Sequence, residues 1–188
     1  MIEALLRDLR QPEYLHTLLN PIPVYGLGAG LVALIVALCI RSRPAHVTAL
    51  VIIFISAASV YPVQYLGHAA YDRVLSMSDD PGRAWLDEHE DRADDLVWFF
   101  YGLAGLSLAA IFLPNKWPRS GTPLAIVTLV LSILCLGLGG YIAYAGGKIR
   151  HREFRNTPPP PEKSHAQEPP WIDNVSFAGV RPALRLPG

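Results

Sequence analysis

Between Asp80 and Leu113 the chain changes its solvent partway along one stretch. Residues 81–95 are polar and acidic, with Asp87, Glu88, Glu90, Asp91, Asp94 and Asp95 crowded around His89 and Arg92. Residues 96–113 then run for eighteen positions without a charged side chain. A helix rising about 1.5 Å per residue would cover about 27 Å there, close to the ~30 Å hydrocarbon core of a bilayer. Asp80 suits an N-cap and Pro81 the first helical position, so one continuous helix is predicted to pass from water into lipid. The last charge, Asp95, marks the predicted membrane surface.

The rest of the sequence follows the same logic. About half of the 188 residues are hydrophobic (51%) and the formal net charge is zero. The apolar residues sit in long runs, with the charges swept into the gaps between them, as in a helical membrane protein. No basic stripe with interleaved aromatics is present, so nucleic acid is not an expected partner. Cys39 and Cys135 both lie inside apolar runs and read as small buried hydrophobes, not as a disulfide framework or a metal clip.

Ile2, Leu5, Leu6 and Leu9 share one helical face opposite Glu3, Arg7 and Asp8, which predicts a short interfacial helix ending near Pro12. Acids precede the first apolar run and no small-residue cleavage site follows it, so a signal peptide is not expected. The first span, 23–40, contains Gly26, Gly28 and Gly30. Their spacing misses the GxGxxG phosphate loop and instead gives small residues one helical turn apart, which let helices approach closely in lipid. The second span, about 47–71, ends in a polar third with Gln64 and His68, and Pro62 predicts a kink there. Trp117 reads as an interfacial anchor in the turn before the fourth span, 124–144. Gly139 and Gly140 predict a second close helix contact, and Gly146-Gly147 a helix stop.

From Asn156 onward proline forbids regular helix, and the tail 156–188 is predicted to be extended and polyproline-like. Trp171, Ile172 and Phe177 are its candidate anchors onto a partner subunit. The predicted class is therefore all-α: an integral membrane four-helix up-down bundle with an interfacial segment 1–20, a transmembrane domain 21–150 containing a soluble acidic hairpin 72–95, and a proline-rich tail. No internal repeat is evident.

His16-Thr-Leu-Leu-Asn-Pro-Ile-Pro23, Gly139-Gly-Tyr-Ile-Ala-Tyr-Ala-Gly146 and His89 before the third span carry a family likeness over about residues 12–150. They resemble the small bacterial four-helix membrane proteins catalogued as domain of unknown function 2231. Members of that family open roughly His-Pro-Leu-Leu-Val-His-Phe-Pro and end Gly-Gly-x-Leu-Val-Tyr-x-x-Gly. Here Thr17 stands for the family's first proline and Pro21 for its second histidine. The resemblance implies four spans, assigns no reaction, and hints at electron-transfer company, since relatives occur joined to Rieske domains or beside cytochromes.

No nucleophile elbow, phosphate loop, zinc-protease helix or paired cysteine motif is present, so no enzyme activity is expected. With four spans, His16, His68 and His89 gather near one membrane face. Imidazoles from neighbouring helices can ligate haem iron, and His89 with Glu88 or Asp91 could hold a divalent metal. Three functional readings follow: a non-catalytic accessory subunit of a larger membrane complex without cofactor, a b-type haem subunit using these histidines, and a small transporter component. The spans carry no charge for an ion path. Lipid and other membrane subunits are the expected partners, with no small-molecule substrate. The cationic turns 41–46 and 115–119 place those turns in the cytoplasm of a bacterial inner membrane and both termini in the periplasm.

Overall fold

The computed structural model describes residues 2–161 and 163. Every regular element among them is helical: α1 (Ile2–Asp8), α2 (Pro12–Leu19), α3 (Leu27–Ile40), α4 (Arg43–Ala58), α5 (Val60–Ser76), α6 (Asp80–Phe112) and α7 (Gly121–Arg150). α2 and α3 join through one π turn, Ile22–Gly26. Pro21 and Pro23 lack the N–H groups that regular α-helical pairing would use there. The chain thus forms four long helical stretches, Pro12–Ile40, Arg43–Ser76, Asp80–Asn115 and Pro118–Arg150, each long and apolar enough to cross a membrane.

Several boundaries differ from expectation for local reasons. The break predicted at Pro62 falls three residues earlier, at Ser59 between α4 and α5. Pro62 cannot donate to the Ala58 carbonyl, so the ladder fails one turn upstream of the ring. The N-cap of α6 is Asp79 and not Asp80: its carboxylate accepts a hydrogen bond from the Gly82 amide at 3.2 Å. Gly146-Gly147 does not stop α7, which continues to Arg150. Residues 12–19, read as part of an interfacial segment, form α2, which packs on α5 and is tied to it by Glu13 and Arg73 at 2.5 Å.

The long helices close a ring in chain order: α3 packs on α4, α4 on α6, α6 on α7, and α7 back on α3. The main core is apolar and includes Leu27, Leu34, Leu50, Ile53, Phe100, Leu103 and Cys135. Its buried hydroxyls satisfy themselves within their own helices, Ser107 donating to Leu103 O and Ser132 to Thr128 O. Glycine sets the helix spacing. A Cβ on Gly26 would collide with Ser56 Oγ, one on Gly30 would lie 2.7 Å from Ile53 Cγ1, and one on Gly139 3.1 Å from Val24 Cγ2. Gly140 faces open space, so the close contact expected of the pair is made by Gly139 alone.

A second, smaller core of Trp85, Leu86, Ala145 and Ile149 lies at the polar end of α6 and α7. An arginine fastens this end. Arg155 donates to both carboxylate oxygens of Asp79 at 2.9 Å, and to the α7 carbonyls of Lys148 and Ile149 at 2.7 Å. One side chain thus caps the C-terminus of α7 and grips the N-cap of α6. Arg155, helped by Arg152, lowers the Asp79 pKa from 3.8 to about 2. A lowered carboxylate pKa contributes stability that is present above the unfolded value and lost as pH falls. The expected result is local loosening of the α6–α7 end between about pH 4 and pH 2, read as faster amide exchange at residues 79–83. Asp79→Asn should show that faster exchange already at pH 7.

Candidate functional site

Between the two apolar cores lies a layer built from His16 and His89. His16 projects from α2 in the first long stretch and His89 from α6 in the third, which sit diagonally across the ring. Their ring centroids are 6.5 Å apart with the planes crossed at 82°. His16 Nδ1 lies 2.9 Å from the Val63 carbonyl, and His89 Nδ1 3.0 Å from the Ile142 carbonyl. A carbonyl only accepts, so each Nδ1 carries the proton and each Nε2 presents a lone pair. Among the described residues no hydrogen bond reaches either Nε2, and neither is sealed in by protein atoms.

Each ring lies against a glycine one turn beyond its carbonyl. A Cβ on Gly67 would stand 3.1 Å from His16 Cε1, and one on Gly146 3.0 Å from His89 Cε1. The same construction is therefore present twice. A histidine on the earlier helix of a pair donates to a carbonyl of the later helix, at Val63 or Ile142, and rests on a glycine four residues on, at Gly67 or Gly146. This internal repeat is invisible in the sequence, because the equivalent residues sit in unlike surroundings.

Edge-to-face packing of two rings could also give this spacing. In either case each Nε2 keeps a lone pair open to water or to a ligand. The fixed Nδ1–H, held by a backbone carbonyl, is the usual support of a metal-ligating imidazole. Among the described residues there is no group of three or more His, Cys, Asp and Glu side chains that could hold a metal ion. The layer thus offers two imidazole nitrogens, fewer than the three or four protein ligands that a zinc site uses.

His68 does not join the pair. It lies exposed on α5 with Nε2 3.0 Å from Asp94 Oδ1, which also accepts from Gln64 Nε2 at 2.8 Å. Tyr101 donates to Gln64 Oε1 at 3.1 Å. Sequence reasoning grouped the three histidines by depth, and rotation about the helix axes separates them. Gly67 and Gly146 escaped it because no local pattern marks a glycine that receives a distant ring.

The acids on α6 are partly neutralised. Arg92 donates to Glu88 at 2.8 Å and lies 3.8 Å over the Tyr141 ring. Asp87 is buried and accepts from Tyr71 OH. Lys148, also buried, is held between the Trp85 and Tyr144 rings and donates to Thr157 Oγ1 at 2.8 Å. Lys163 pairs with Asp91, so the start of the tail follows the α6–α7 seam back to the histidine layer. The tail anchors Trp171, Ile172 and Phe177 lie outside the described residues. No protein-family model, curated protein or solved structure matches the chain.

Proposed function

We propose that the protein is an integral membrane subunit that holds a b-type haem between His16 and His89 and carries single electrons at one membrane face. The observation behind this reading is the pair of imidazoles from diagonal helices, each with Nδ1–H on a carbonyl and Nε2 unengaged. When bound, haem supplies a one-electron couple; the chain supplies two axial nitrogens, fixes their tautomers and sets their spacing. A non-catalytic accessory subunit without cofactor would use the same two histidines only as hydrogen-bond donors between helices.

In this reading Tyr25, Tyr61, Tyr65, Trp98 and Tyr141, all exposed, form the outer aromatic belt, and Trp117 the inner one. From Trp98 to the end of the helical stretch at Asn115, just before Trp117, is seventeen residues, about 26 Å, close to the ~30 Å hydrocarbon core. His16 and His89, which would hold the haem, then lie just outside the bilayer, within the polar end of an up-down bundle. The cationic turns face the cytoplasm of a bacterial inner membrane, and both termini the periplasm. The four-span family resemblance accords with this, and the tail residues Trp171, Ile172 and Phe177 dock the subunit into a larger electron-transfer complex. With Cys39 replaced, a cysteine at Ser78 should react with an impermeant thiol reagent in intact cells and one at Ser42 should not. The reverse pattern inverts the orientation.

The direct test is optical. Protein expressed with adequate haem supply should purify with about one haem per chain and show, when reduced, the sharp visible bands of six-coordinate low-spin iron. A folded protein that stays colourless after reconstitution with haem overturns the assignment.

A further inference from the structure

The helix face next to the histidine layer carries a second arrangement. On α5, Val63 and Gly67 support the His16 ring, and the residues that follow each of them, Gln64 and His68, turn outward to Asp94 on α6. Tyr101 extends this hydrogen-bonded chain two turns further along α6, about 10 Å toward the apolar part of the helix. The chain is polar and open to the outside of the bundle, with Tyr65 and Trp98 exposed beside it.

The bonding is incomplete at one atom. Asp94 Oδ1 accepts from both Gln64 and His68, whereas Oδ2 has no partner among the described residues. His68 donates through Nε2, so its Nδ1 keeps a lone pair for a further proton. Here, then, are a carboxylate oxygen, an amide and a phenol at the membrane boundary, flanked by aromatic faces and back to back with His16. That combination fits a small aromatic ring with hydroxyls that both donates hydrogen bonds and stacks.

We propose that the α5–α6 seam, at Gln64, His68, Asp94 and Tyr101, binds the head group of a membrane-dissolved hydroquinone, the electron donor to the haem. This rests on the haem reading above. One hydroquinone hydroxyl would donate to Asp94 Oδ2. Conversion of the hydroquinone to quinone releases two electrons and two protons. Asp94 would take the protons and His68, which faces water, would release them. The electrons would leave singly by way of the haem to a one-electron redox protein outside the membrane.

The test uses full-length, haem-loaded protein in detergent, mixed without oxygen with a benzohydroquinone bearing a ten-carbon tail. Haem reduction should saturate with hydroquinone concentration. Asp94→Asn and Gln64→Leu should each lower the saturating rate or the apparent affinity at least tenfold, with haem content, dithionite-reduced spectrum and melting temperature unchanged. The matching quinone should quench tryptophan emission of the haem-free protein saturably, and Gln64→Leu should weaken that quenching by a similar factor. A protein that takes up no haem overturns both readings, before any hydroquinone is added. Full haem loading with non-saturable reduction, or with both variants reduced as fast as the parent, overturns the hydroquinone site alone.

Discussion

Replacing either His16 or His89 with alanine is expected to remove haem from the purified protein, lowering the haem-to-chain ratio more than tenfold. Each imidazole would supply one of only two protein bonds to the iron, and among the described residues no third His, Cys, Asp or Glu groups with the pair to take its place. His68→Ala should leave the spectrum as it is, because His68 is engaged with Asp94 on the outside of the bundle. Gly146→Val is the sharper variant, since it keeps both histidines. A Cβ there already lies 3.0 Å from His89 Cε1 and 3.1 Å from Nδ1. The two further methyls would push the ring off the Ile142 carbonyl, and loss of such support commonly costs 10–100-fold in metal affinity. All four variants should retain parental helicity and melting in the haem-free state to within a few degrees. Haem retained by His89→Ala with an unchanged spectrum would mean that this pair is not the axial pair.

The largest effect on stability is expected from Gly30→Val. The α3–α4 contact is so close that a Cβ on Gly30 would stand 2.7 Å from Ile53 Cγ1 and 3.2 Å from the Ile53 backbone nitrogen. The first contact is a side chain within a packed core, and the second cannot move without shifting α4. Overpacking of this kind costs about 2–3 kcal/mol, and close approach through small residues is the main attraction between helices in lipid. Gly140→Val is the control, because nothing lies within 4 Å of a Cβ there. Unfolding in mixed detergent should separate the two, with Gly30→Val unfolding at distinctly lower denaturant and Gly140→Val at the parental midpoint. Equal midpoints would show that the α3–α4 contact can take a larger side chain at Gly30, against the close approach of the two helices.

The sequence by itself determined the four helices. A run of eighteen uncharged residues at 96–113, and its three counterparts, are local properties of chain length and composition, and no tertiary arrangement can turn them into soluble loops. Proline placed the interruptions to within a turn, since a missing N–H acts on the carbonyl four residues back. Gly26, Gly30 and Gly139 were legible as contact points because small residues one turn apart have few other uses in such helices. Which of two adjacent glycines faces a neighbour was not legible: Gly139 and Gly140 differ by 100° of helix rotation, and only packing fixes that angle. The same angle chose among the histidines. His16 and His89 turn inward and meet, while His68, at similar depth, turns outward to Asp94. Each inward ring is held by a carbonyl 47 or 53 residues away and rests on a glycine of that same distant helix. Such partners belong to the docking of whole helices and leave no mark on the residues beside them. The four apolar helices were therefore written locally, and the site was decided only when they closed on one another.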